Sequence, residues 1–253
     1  MCTFTDKTSR VCHAQWHTLL ILPTPYTRTN KVLKMFGNNI SQSNKAMTAS
    51  IAIIAYAIMV AIYLSPAEVQ YKISFPVLSL ALFSFLLLPV PMSLAMLFSA
   101  FGDMAGAAGN FMLQLGFFAA THVSMIIFFT GRLLHGNTSA RKPITYISAA
   151  ITVALAVILV LPKIIPEAHP GILLAGVIFY TAAIATMLFT AMLQGSLLYT
   201  TGACLFVISD LILAWNKFVS PVEYYTYLNI IPYYTGQLLL FIKAADLKTH
   251  RKA

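Results

Sequence analysis

Two aspartates lie inside otherwise apolar stretches of this chain, Asp103 in "LFSAFGDMAGAAGNF" and Asp210 in "GACLFVISDLILAWNKF". Paired carboxyls do general acid and base chemistry when burial and a like-charged neighbour keep one protonated while the other stays ionised. Each of these has a small residue immediately before it and a phenylalanine eight positions after it, Phe111 and Phe218. The match suggests a weak internal duplication, with the two carboxyls as symmetry mates near a central axis. A carboxylate at membrane depth costs several kcal/mol unless it is paired, hydrated or protonated, so it faces a bundle interior or a wet cavity. The plainer role is interhelical glue through hydrogen bonds.

Other polar residues fall where they could join the pair. His122 is the one histidine well inside an apolar segment, either a hydrogen-bonded structural residue or a partner for the two acids. Ser99, Asp103, Gly106 and Asn110 share one helical face, which equally suits close helix packing by small residues. Near the C-terminus Asn229, Tyr233 and Gln237 recur every fourth residue. A membrane-interface aromatic belt explains Tyr224, Tyr225 and Tyr227, but explains Gln237 poorly. The expected supporting cavity residues are therefore His122, Asn110, Tyr233 and Gln237. Lys72 either snorkels to the interface or contacts a lipid headgroup. No glycine-rich nucleotide loop, G-x-S-x-G elbow, H-E-x-x-H pair or Cys/His cluster occurs, and Cys2, Cys12 and Cys204 are scattered. The expected chemistry runs on carboxylates, without metal or cofactor.

The elements that must hold these residues follow from composition. The chain is 59% hydrophobic and 9% charged, with a mean hydropathy of +0.80, where a soluble domain carries about 25% charged residues. Apolar runs repeatedly reach the ~20 residues a helix needs to cross a bilayer, without the alternation of barrel strands. The expected fold is all-α, a polytopic membrane bundle of eight transmembrane helices in two four-helix halves, cut at 46–64, 73–88, 91–109, 111–131, 144–161, 171–193, 196–215 and 225–245. "PVP" at 89–91 should end one helix and start the next. Gly109-Asn110 and Gln194-Gly195 give softer breaks. Residues 1–45 read as a flexible basic cytoplasmic tail, with Met35 or Met47 as alternative starts, and 246–253 as a short basic tail.

Charge tests that count. With eight crossings and both termini inside, 13 of the 16 Lys/Arg fall on the inner side, and only Lys72, Lys163 and Lys217 fall outside. This is the asymmetry of the positive-inside rule. Orientation thus accounts for the net charge of +9, and no nucleic-acid partner is called for.

"SAFGD" at 99–103, "GFFAATH" at 116–122, the helix around Asp210 and "YYTGQLLLFI" at 233–242 resemble the ordered signatures of the YhhN-type lysoplasmalogenase family of integral membrane proteins. The resemblance runs from about residue 46 to 245, and "GACLFVISD" at 202–210 is its most specific part. One departure is that "ISF" separates Lys72 from Pro76, where the family commonly has Lys-Pro. The resemblance implies hydrolysis of the vinyl-ether bond of lysoplasmalogen to a fatty aldehyde and glycerophosphoethanolamine or glycerophosphocholine. Asp103 and Asp210 would be the acid–base pair, and a single-chain lipid the partner. It implies a multi-pass location, in the inner (plasma) membrane if the host is bacterial. Duplicated halves with midmembrane carboxylates also suit a proton- or cation-coupled transporter, and a hydrolase of another lipid is a further alternative. A retinal protein would want a lysine deep in a late helix, whereas Lys243 sits at the membrane edge. A purely structural role leaves the matched carboxylates unexplained.

Overall fold

The computed structural model describes residues 25–66, 68–135, 162–167 and 171–250, with isolated positions between 147 and 158, and side chains from residue 43 to residue 246. Among these residues there are seven α-helices and no strand: α1 (Pro25–Leu64), α2 (Phe75–Leu87), α3 (Val90–Ala107), α4 (Phe111–His135), α5 (Ile172–Met192), α6 (Leu197–Phe218) and α7 (Tyr225–His250). Short 3₁₀ turns occupy Lys72–Ser74 and Ile165–Glu167. The chain divides into two units, residues 1–45 and 46–253.

Most helix ends fall where the sequence breaks. Leu88 and Pro89 are extended and Val90 opens α3, as "PVP" requires. Gly109 and Gly195 take left-handed conformations after α3 and α5, with φ of 75° and 63°, which only glycine adopts without strain. The helix α1 begins at Pro25, upstream of its apolar, span-length part Ser43–Leu64. No proline interrupts residues 26–64, and an existing helix extends into polar sequence at little cost once nucleated. The expected segment 144–161 lies largely outside the described residues, although Ile147, Ala150, Ile151, Ala154 and Ile158 are helical.

Among the described residues, five helical segments are long and apolar enough to cross a membrane: Ser43–Leu64, Val90–Ala107, Phe111–Leu134, Ile172–Met192 and Leu197–Phe218. Lys72–Leu87 is apolar but shorter. The bundle buries a set of polar side chains within an apolar core and exposes large apolar ones. Ser84, Ser93, Ser99, Thr121, His122 and Gln237 are fully buried, while Leu82, Leu86, Ile127, Ile172 and Phe179 are exposed. Burying polar groups beneath an apolar surface is unfavourable in water and favourable in lipid.

The most extensive pairings are α3 on α4 and α6 on α7. In α6 and α7 the backbones nearly touch: a Cβ added to Gly236 would lie 2.8 Å from the Gly202 carbonyl oxygen. Small residues permit this approach, and it brings the Asp210 helix against the Tyr233 helix. In α3, a Cβ on Gly102 would meet the Phe118 ring at 3.0 Å. The ring therefore seats on the helix face beside Asp103.

Candidate active site

Asp210 lies on the inner face of α6, 4% exposed. Its Oδ2 is 3.0 Å from His122 Nε2 on α4. The Tyr180 hydroxyl on α5 is 3.3 Å from the same His122 nitrogen. Three helices thus converge one acid, one imidazole and one phenol. When Nε2 donates its hydrogen to the carboxylate, the neutral ring leaves Nδ1 as an acceptor. That Nδ1 is buried without a hydrogen-bond partner. The imidazole is held in place by edge contacts to the Tyr180 and Phe206 rings, 5.3 and 5.0 Å between centroids.

Asp103, also 4% exposed, accepts a 2.9 Å hydrogen bond from the Tyr233 hydroxyl of α7. Beside it, Gln237 Nε2 donates to Ser99 Oγ at 2.9 Å, and Ser99 Oγ lies 3.2 Å from Thr121 Oγ1. The Gln237 Oε1 is buried and unpartnered. Asp103 and Asp210 share no hydrogen bond. Phe118, Phe206 and Tyr233 are mutually edge-on at 5.4 to 6.4 Å, with Tyr233 bonded to Asp103 and Phe206 against the His122 ring.

The two carboxyls also differ in access. A partly open cavity lies among α4, α5 and α6 and is bordered by Asp210 and Tyr180 but not by Asp103. Its other walls are mostly apolar, among them Leu115, Ile164, Val177, Ile184, Leu188 and Val207, with Gln114 and Thr181 as the remaining polar side chains. A mostly apolar cavity with a few convergent polar groups is the usual form of a small-molecule site. Phe111 and Phe218, the residues eight positions after each aspartate, meet at its edge with ring centroids 5.6 Å apart. Among the described residues no group of three or more His, Cys, Asp or Glu is arranged to hold a metal ion.

The YhhN family profile matches residues 71–244. The chain belongs to the YhhN family. Membership relates it to the lysoplasmalogenases, and the match contains Asp103, His122, Tyr180, Asp210, Tyr233 and Gln237 while leaving α1 outside. No curated protein and no solved structure shows significant similarity to the chain.

Within this YhhN bundle the expected residues sort into three groups. Asp210 and His122 form one bonded pair, and Asp103 with Tyr233 forms another. Gln237 sits on the Asp103 side. Asn110 does not join them: it is exposed, and its Oδ1 accepts from the Leu113 N–H at 3.1 Å, capping the first turn of α4. Lys72 is likewise away from the cavity lining, with Nζ donating to the Ser65 carbonyl at 2.9 Å and lying 5.9 Å from the Tyr63 ring. Tyr180 is the residue that sequence reasoning missed. Its signal was available, a lone tyrosine in mid-helix within the most hydrophobic of the five spanning segments.

Proposed function

We propose that this protein is a lysoplasmalogenase-type hydrolase that cleaves the vinyl-ether bond of a single-chain alkenyl glycerophospholipid, releasing a fatty aldehyde and a glycerophospho-base. The observation that carries the reading is the Asp210–His122–Tyr180 cluster on the wall of an otherwise apolar cavity. Family membership supports the reaction class.

The steps balance as acid-catalysed hydration. The carboxylic acid form of Asp210 gives its proton to the β-carbon of the vinyl ether, and the π electrons and ether oxygen leave an oxocarbenium ion beside the new carboxylate. That negative charge, in a water-poor site, stabilises the cation. A water oriented by the Tyr180 hydroxyl and the His122–Asp210 pair attacks the cationic carbon and returns a proton to Asp210. The resulting hemiacetal collapses: its hydroxyl proton passes to the departing glycerol oxygen, the C–O bond breaks and the aldehyde leaves. Asp103 has a different role. Fixed by Tyr233, it acts on the cavity through space and positions α3 and α7.

The same proposal has eight crossings with both termini inside, in the inner (plasma) membrane if the host is bacterial. The charge asymmetry supports it, as does the equivalent placing of the α3–α4 and α6–α7 pairs and of Phe111 against Phe218. The test of function is aldehyde release from an alkenyl glycerophosphoethanolamine by purified wild type and by Asp210→Asn. Turnover retained in the folded variant would remove Asp210 from the mechanism.

A further inference from the structure

Two of the three lysines that the charge count leaves on the outer side lie over aromatic rings of elements that wall the cavity. Lys217, in the last turn of α6, lies with Nζ 5.1 Å from the centre of the Phe111 ring. Lys163 lies with Nζ 4.9 Å from the Trp215 ring. Phe111 borders the cavity, as do Ile164 beside Lys163 and both Ala214 and Phe218 on the helix that carries Trp215. Both lysines are exposed, and neither takes part in an ion pair among the described residues.

A lysine at a helix C-terminus complements the helix dipole, which would account for Lys217 alone. It does not account for a second lysine from a different segment over another ring of the elements that wall the cavity, or for both on the side where lysines are depleted. The rings beneath them lower the cost of holding the ammonium groups beside an apolar cavity.

The spacing has chemical meaning. Seven residues of α6 separate Asp210 from Lys217, about 10 Å along the helix at 1.5 Å per residue. In an extended glycerophospholipid the phosphorus follows the C1 ether oxygen by three carbons and one oxygen, and a lysine side chain spans the remaining distance. Toward Ile184, Ala185 and Leu188 the cavity is apolar.

We infer that Lys163 and Lys217 form a phosphate-binding mouth that takes the phosphodiester of a single-chain glycerophospholipid while its tail runs past Asp210 toward Leu188. The inference rests on the lipid-hydrolase reading and moves the headgroup contact from Lys72 to these two residues.

The test is binding, measured apart from turnover. The full chain in nanodiscs would be titrated with an alkenyl glycerophosphoethanolamine and with an alkylglycerol of the same chain length, each displacing a fluorescent single-chain lipid. Wild type should prefer the phosphate-bearing lipid. The Lys163→Gln, Lys217→Gln double variant should lose about five- to tenfold of that preference, the scale of two partly exposed charge contacts, with alkylglycerol affinity unchanged. Lys72→Gln should keep the preference. Millimolar inorganic phosphate should displace the lipid only weakly. Strong displacement would make the mouth a free-anion site and overturn the lipid assignment. A preference that survives the double substitution, or is absent from wild type, would overturn the inference outright. If aldehyde assays fail while phosphate selectivity behaves as described, hydrolysis falls and the subsite stands.

Discussion

Chain-length dependence offers a ruler for the cavity. On α5 the lining runs from Tyr180 to Leu188, eight residues or about 12 Å of helix. An extended alkyl chain advances ~1.3 Å per methylene, so this arm holds roughly nine carbons beyond the vinyl ether. Each buried methylene contributes about 0.8 kcal/mol, roughly fourfold in kcat/KM. The efficiency of wild type should therefore climb by up to that factor per carbon and flatten near nine carbons. Ala185 lines the cavity five residues beyond Tyr180, about 7.5 Å along the helix. Ala185→Phe should stop the climb at five or six carbons. Long-chain substrates then lose the worth of about three methylenes, on the order of fiftyfold, while short ones are unaffected. Aldehyde release across a homologous alkenyl series below KM would measure it. Parallel length profiles in wild type and Ala185→Phe would refute the placing of the tail between Ile184 and Leu188.

Further predictions separate chemistry from packing. Asp210→Asn should lower kcat by about 10²–10⁴, the range for a lost general acid, and Tyr180→Phe by about tenfold, with both variants eluting as folded protein. Asp103→Asn should lower kcat with KM little changed, because Asp103 does not border the cavity; a KM effect alone would argue against its proposed role. Gly236→Ala should cost about 2–3 kcal/mol by overpacking, since the new Cβ meets the Gly202 carbonyl at 2.8 Å and the Phe206 nitrogen at 3.1 Å. Its thermal midpoint in detergent should fall, whereas Gly116→Ala, with nothing within 4 Å of the added atom, should leave it unchanged. Ser93→Ala removes the donor to the Ser84 carbonyl at 2.9 Å and should cost about 1 kcal/mol, measured the same way.

The bundle was legible because hydropathy and helix breakers act locally. "PVP", Gly109 and Gly195 mark boundaries through their own backbone preferences, so α2 to α6 start and stop within a few residues of expectation. The start of α1 was not legible, because a polar stretch without proline extends a neighbouring helix or remains irregular with little difference in local preference. Asp103, Asp210 and His122 stood out as costly residues in apolar surroundings. Their division into two bonded pairs did not, since it depends on which helices meet. The periodicity that grouped Asn110 with Asp103 did not hold, because α3 ends at Ala107 and Asn110, three residues on, caps α4 instead. Tyr180 was hidden by the abundance of interfacial tyrosines, and Lys72 was favoured over Lys163 and Lys217 by position along the chain, before packing could show which lysines approach a cavity.

The most direct measurement is turnover of an alkenyl glycerophosphoethanolamine in deuterated buffer by wild type beside Asp210→Asn. Protonation of the β-carbon predicts a fatty aldehyde carrying one deuterium at carbon 2 from wild type, and almost none formed by the variant. A wild type that releases no aldehyde across headgroups and chain lengths, or an Asp210→Asn protein that turns over at the wild-type rate, would contradict a carboxyl-driven vinyl-ether hydrolase.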